Sequence, residues 1–203
     1  QLSRWVAVGA GTNSIAYSTD GITWTGLGTS IFIYWGIGVA YSAQLSRWVA
    51  VGAGTNSIAY STDGITWTGL GTSIFTSIGY VVSYSAQLSR WVAVGEGANS
   101  IAYSTDGVNW TGLGASVFSN YGRGVAALTP LPAKFVSVGS ATNTISYSYD
   151  GVTWTGLGTS IFGGGYGIAY SAQLGRWVAV GYGTNRIAYS TDGITWIGLG
   201  TSI

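Results

Sequence analysis

The stretch QLSRWVAVGAGTNSIAYSTDGITWTGLGTSIF occupies residues 44–75, and residues 1–32 repeat it without a change. Aligning the Asp of its S-x-D-G unit along the chain picks out Asp20, Asp63, Asp106, Asp150 and Asp192, at intervals of 43, 43, 44 and 42 residues. Five copies at a near-constant period of this size match one four-stranded propeller blade per copy. Helical repeats of similar length need helix formers at 3.6 spacing. Here Gly, Thr, Val, Tyr and Trp dominate, and they favour strands.

Working outward from that stretch, one repeat divides into four short strands, Gly38–Ser42, Arg47–Val51, Ser57–Ser61 and Ile65–Gly69, with Gly, Asn or Asp at most joints. Both faces of the second strand are apolar or small, Trp48 and Ala50 on one and Val49 and Val51 on the other. A strand with one wet face would alternate apolar with polar. Apolar residues on both sides suit a blade held between two others. The expected fold is therefore all-β: a five-bladed β-propeller of four-stranded antiparallel blades, forming one domain over 1–203 with repeats at about 1–36, 37–79, 80–122, 123–165 and 166–203. The second, third and fourth strands each occur five times. The first occurs four times, near Val39, Val82, Val125 and Ile168, so the first blade lacks its first strand. Three readings stay open: a longer parent chain, a strand donated by a neighbouring chain, or a first blade of three strands whose open edge invites association.

The unit Tyr17-Ser18-Thr19-Asp20-Gly21-Ile22-Thr23-Trp24 resembles the Asp-box (BNR) hairpin of sialidase-like propellers, whose pattern is S-x-D-x-G-x-T-W. All five copies are one residue shorter between Asp and Gly, so the resemblance covers the hairpin type. Over its whole length the chain is similar to W-V-A-V-G … I-A-Y-S-x-D-G-x-x-W arrays in repeat proteins of large DNA viruses and environmental sequences. That resemblance implies a propeller. It implies no activity, because fold does not give function. The low share of charged residues, 6%, is common in secreted, shell and sugar-binding proteins and favours an extracellular or virion-surface setting, while the location itself is left unassigned. The hairpin also has its own physics. An Asp in a tight turn accepts from backbone N–H groups two residues on, and the Gly after it supplies a conformation Asp cannot. The five Asp are therefore read as structural, with Trp24 and its equivalents returning on the fourth strand to pack between blades.

Composition removes most chemistries. Only 6% of the 203 residues are charged, the net charge is +1, and there is no Cys, His or Met. Nothing here attracts nucleic acid electrostatically, and no stretch reads as a membrane-inserting helix. Triads, thiol nucleophiles and ordinary zinc sites have no residues to use. Calcium takes 6–8 oxygens, and one Asp per turn is too few. Of six carboxylates, five are the turn residues and the sixth is Glu96, without an evident carboxylate partner for glycoside hydrolysis. The chain is expected to be no enzyme and to hold no cofactor or metal. Arg4, Arg47, Arg90 and Arg176 share one repeat position, with Lys134 in the fourth copy, and are read as stems covering an aromatic at each blade edge.

Variation among the copies is concentrated in two segments. One joins blade to blade (33–37, 76–80, 119–123 and 163–166). The other is a single turn position after the second strand: Ala10, Ala53, Glu96, Ser140 and Tyr182. Strand direction alternates, so both segments lie at one end of the propeller. Candidate ligand-binding residues there are Tyr34, Trp35, Tyr80, Asn120, Tyr121, Arg123, Tyr166, Tyr182 and Arg186. Aromatics with Asn and Arg suit stacking on sugar rings or a protein interface. The expected partner is a glycan or another protein chain, with self-association through the incomplete first blade as the alternative.

Overall fold

The computed structural model describes residues 4–128 and 132–202 and is all-β. The first blade has three strands, β1 (Trp5–Val8), β2 (Ile15–Ser18) and β3 (Thr25–Gly26). The second has β4 (Trp35–Ser42), β5 (Arg47–Ala53), β6 (Ile58–Ser61) and β7 (Thr68–Gly69); the third has β8 (Ile78–Ser85), β9 (Arg90–Glu96), β10 (Ile101–Ser104) and β11 (Thr111–Gly112). The fourth has β12 (Gly122–Leu128), β13 (Lys134–Gly139), β14 (Ile145–Ser148) and β15 (Thr155–Gly156); the fifth has β16 (Gly164–Ser171), β17 (Arg176–Tyr182), β18 (Ile187–Ser190) and β19 (Ile197–Gly198). Every pairing is antiparallel between successive strands, and one bridge, Ala53 to Ile78, joins the second and third blades. The turn expected at Thr129-Pro130-Leu131-Pro132 lies, apart from Pro132, outside the described residues.

All four strands of the repeat differ from the sequence reading at one boundary, the third by a single residue at Ile58 and the others for physical reasons. The fourth strand is only two residues long, because Ile65, Thr66 and Trp67 are taken up by the turn that Asp63 organises. The first strand begins earlier, at Trp35, because the end of β5 extends to Ala53 and supplies ladder partners there. Half of what reads as blade-to-blade loop is therefore strand.

The blades stack by a constant rule. The two Val of the second strand, with the Ile and Tyr of the third, face the following blade. The Trp and Ala of the second strand, with the Ala of the third, face the preceding one. Between the second and third blades Val49, Val51, Ile58 and Tyr60 meet Trp91, Ala93, Ala102 and Trp110. The same set recurs between the fourth and fifth blades; between the third and fourth, Val92, Val94, Ile101 and Tyr103 meet Phe135 and Trp154, with Ser137 and Ser146 at the positions that hold Ala elsewhere. Between the first and second it is Val6, Val8 and Ile15 against Ala50, Ala59 and Trp67. Ala at these positions lets sheets approach while Trp and Phe fill the remaining volume. The innermost strands β4, β8, β12 and β16 lie side by side in that order, and no comparable packing joins the fifth blade to the first among the described residues.

Polar bonds reinforce each junction. The Asn of the second-to-third-strand turn accepts from a Gly N–H of its own blade and donates back to the preceding blade: Asn56 Nδ2 to Ile31 O at 2.7 Å, Asn99 to Ile74 O at 2.6 Å, Asn143 to Val117 O at 2.8 Å and Asn185 to Ile161 O at 2.7 Å. The recurring cation donates forward instead, Arg4 to Asp63 O, Arg47 to Asp106 O and Lys134 to Asp192 O. Each guanidinium or ammonium also sits over a Tyr of its own blade, as Arg47 does over Tyr60 at 5.4 Å and Arg176 over Tyr189 at 5.0 Å.

In each hairpin the Asp carboxylate accepts two backbone N–H bonds. For Asp106 these come from Val108 and Asn109, both at 2.8 Å, while Ser104 Oγ donates to Asp106 Oδ1 at 2.9 Å. Burial raises the carboxyl pKa, and the two N–H donors outweigh it, holding Asp63, Asp106 and Asp192 at about 2. Asp20 is lowered by the N–H groups of Thr23 and Ile22. A carboxylate lowered on folding stabilises the fold above its unfolded pKa, near 3.8, and that contribution is lost as pH falls through its folded value. With no histidine, nothing ordinary titrates between about pH 5 and 8. The melting temperature is therefore expected to be flat over that range and to drop between about pH 4 and 2. A circular-dichroism melting series against pH checks this, and a drop centred above pH 5 would contradict it.

Candidate binding face

The blade-to-blade segments and the turns after the second strands meet at one end, where strand-end bridges tie consecutive blades: Ala10 to Trp35, Ala53 to Ile78, Glu96 to Tyr121 and Ser140 to Gly164. Just inside each bridge the first strand of the blade carries a β-bulge. The register skips Ile37 between Gly36 and Gly38, Tyr80 between Gly79 and Val81, Arg123 between Gly122 and Gly124, and Tyr166 between Gly165 and Gly167. A bulge re-aims the extra side chain. Here it does so at the same place in four consecutive blades, on the innermost strand, with Ile, Tyr, Arg and Tyr in turn.

Three groupings result. Tyr34 and Trp35, both exposed with ring centroids 6.2 Å apart, border an open cleft of about 580 Å³ together with Ala53, Gly54, Thr76, Ser77 and Ile78. In the next blades Arg123 lies over two rings, 4.5 Å from the Tyr80 centroid and 4.7 Å from that of Tyr121, while Tyr80 OH donates to Glu96 Oε2 at 2.7 Å. Burial, helped by the bond to Glu96 and opposed by Arg123, pushes the Tyr80 phenol up to about 12. Arg123 Nε is buried without a hydrogen-bond partner. At the fifth blade Tyr166 and Tyr182 pack with centroids 5.4 Å apart.

The structure thus joins Tyr34 to Trp35, Tyr80 to Tyr121 and Arg123, and Tyr166 to Tyr182. Asn120 and Arg186 are exposed and belong to none of these groupings. Two participants escape the sequence reading. Glu96 is Tyr80's acceptor, and its being the one carboxylate outside the hairpins was the available signal. Ile37 is the bulge residue of the second blade, and only alignment with Tyr80, Arg123 and Tyr166 reveals it. The five hairpin Asp sit at the opposite end.

Similar arrangements occur among solved structures. A chain of a nidogen–laminin complex superposes with TM-score 0.71 at 14% identity, covering 98% of this chain and 78% of that one. A GH74 enzyme of Niastella koreensis gives 0.63 at 20%, covering 97% and 31%, and virginiamycin B lyase from Staphylococcus aureus gives 0.78 at 12%, covering 98% and 69%. The last two are β-propellers. The chain has the β-propeller fold. At these identities the likeness carries the fold alone, and this propeller spans less than a third of the GH74 chain. No family model matches the sequence, and no curated protein matches it.

Proposed function

We propose that this propeller is a non-enzymatic binding module whose ligand, a glycan, lies on the bulge-bearing end. The observation that carries the reading is the cleft at Tyr34 and Trp35. Exposed aromatic rings beside small and hydroxyl side chains, in a volume of about 580 Å³, fall within the roughly 300–1,000 Å³ of small-molecule sites. Rings of this kind stack on sugar faces, and Thr76 and Ser77 supply hydroxyls at the rim. The absence of catalysis is argued from the acids. Glu96 and the hairpin Asp of its blade are separated by the four-residue β10, about 13 Å of extended chain, whereas glycosidase carboxylates stand roughly 5–9.5 Å apart. The Asp-box likeness of the hairpins belongs to the same reading, as a device that closes the far end of each blade. A glycan array followed by titration calorimetry tests it. Binding should weaken about tenfold or more in Trp35→Ala, and binding to no sugar at all would sink it.

The second reading is a scaffold component of an extracellular or virion assembly that uses its open first blade to associate. The uncovered faces of the first and last blades favour it.

A further inference from the structure

The bulge position of the innermost strand carries a charge in one blade only, where Arg123 follows Ile37 and Tyr80 and precedes Tyr166. The Arg123 guanidinium lies 4.5 Å from the Tyr80 ring centroid, across the blade boundary, and 4.7 Å from that of Tyr121. Ring faces attract a cation but leave its N–H edge, the part that grips a carboxylate in a planar fork, unused. Arg4 and Arg47 each direct an Nη1–H to a carbonyl of the next blade. Half-buried Arg123 donates to no described residue, and its Nε is buried without a partner. No carboxylate pairs with it among the described residues; Glu96 accepts from the Tyr80 hydroxyl instead. Donors left unmade at a partly desolvated cation are costly, and an anion from outside the chain would satisfy them.

This cation stands beside the aromatic cleft. Ser77 and Ile78 line the cleft together with Tyr34 and Trp35. From Ile78, β8 runs through Gly79 to Tyr80, about 7 Å along an extended strand. A ligand longer than one sugar ring, seated on Trp35, therefore extends past Tyr80 to Arg123. None of the residues lining the cleft is charged. The two neighbouring regions thus read different chemistry: rings and hydroxyls at Tyr34 and Trp35, a positive charge at Arg123.

We propose that Arg123 forms a carboxylate subsite and that the glycan of this face is an acidic one, a chain of uronic acid residues. The inference rests on the glycan reading and names its ligand class. With one sugar on Trp35, a sugar further along the chain sets its carboxylate against the guanidinium edge in a pair of charge-assisted hydrogen bonds. Tyr80 and Tyr121 hold the guanidinium, and Glu96 holds Tyr80, so these three are positioning residues. A uronate is favoured over a peptide carboxylate by the strand ends beside the cleft. They are bridged to one another, Ala10 to Trp35 and Ala53 to Ile78, and leave an extended peptide no open ladder there.

Titration calorimetry with a tetramer of galacturonic acid, and with the same tetramer after carboxyl reduction, tests it. The wild-type chain should bind the acid about tenfold or more tighter than the reduced form, the range for hydrogen bonds to a charged group. Arg123→Gln should erase that difference by weakening the acid alone, whereas Trp35→Ala should weaken both. Glu96→Gln keeps an acceptor for the Tyr80 hydroxyl and removes a repelling charge. It is expected to tighten the acid about threefold and leave the reduced form unchanged, a gain that a loss of structure does not mimic. Equal binding of the two tetramers, still weakened by Trp35→Ala, overturns the carboxylate subsite and leaves the glycan reading standing. Binding of neither tetramer, with no sugar bound on the array, removes both. A preference for the acid that survives Arg123→Gln also overturns the subsite. So does Arg123-dependent binding of trialanine in place of the acid tetramer, which would assign the site to a peptide carboxylate.

Discussion

Replacing Trp91 by Ala is expected to cost about 3–5 kcal/mol, the range for deleting a fully buried Trp or Phe from a core, while Trp5→Ala, at the same repeat position, is expected to cost under about 1 kcal/mol at concentrations where the chain is monomeric. The difference is environment alone. Trp91 lies at 0% exposure between Val49 and Val51 of the blade before it and against Tyr84 of its own, ring centroids 4.8 Å apart. Trp5 faces outward at 62%. The Trp91 Nε1–H is buried without a partner, an unfavourable feature that truncation also removes, which places the loss toward the lower end. Trp91→Phe is accordingly expected to be mild, under about 2 kcal/mol, because the fourth blade already has Phe135 there at 0% exposure. Urea unfolding of the three variants, at low and high protein concentration, checks the ordering. Equal losses at Trp5 and Trp91 in dilute solution would show that the first blade's outer face is covered within a single chain.

This contrast marks where the sequence was informative. The S-x-D-G period, the apolar residues on both sides of the Arg47–Val51 strand and the alternation of strand direction were all legible, because each is local or repeats in register. They lead to antiparallel blades with variable residues gathered at one end, and the structure has both. Three features were not legible, for separate reasons. Trp5 and Trp48 are identical in sequence context, so no local signal says that one meets solvent and the other a neighbouring sheet; that depends on the order of blades around the axis. The bulges at Ile37, Tyr80, Arg123 and Tyr166 are register slips set by how far β5 and its equivalents extend, and an alternation pattern cannot count an extra residue. The shortness of the fourth strand follows from Asp63 capturing the N–H groups of Ile65 and Thr66, which removes them from the ladder although Ile and Trp there look strand-like. In the site, the pairing of Tyr80 with Tyr121 and Arg123 crosses a blade boundary. Glu96 was set apart by being the lone acid outside the hairpins, yet its bond to Tyr80 arises from facing strands and has no spacing signature.

The glycine that closes each second strand provides the sharpest test of the blade geometry. Gly95 lies opposite the first strand of its blade, and a Cβ there would stand 2.4 Å from Ile78 O and 2.5 Å from Phe75 Cδ1. The carbonyl belongs to a ladder strand and the ring is fully buried, so neither can yield without separating β8 from β9. Gly95→Ala is expected to destabilise by about 3 kcal/mol or more, the upper part of the overpacking range. Gly52, Gly139 and Gly181 meet the same two obstacles, a facing carbonyl at 2.2–2.4 Å and a Phe ring, and should behave alike. Gly9, the equivalent in the first blade, has nothing within 4 Å. There the added methyl meets no obstacle and restricts the unfolded chain, so Gly9→Ala is expected to be neutral or to gain up to about 1 kcal/mol. The comparison isolates the first strand's role, since the residue, its neighbours in sequence and the substitution are matched. A large loss at Gly9 that appears only at high protein concentration would mean that a strand from another molecule lies over the first blade.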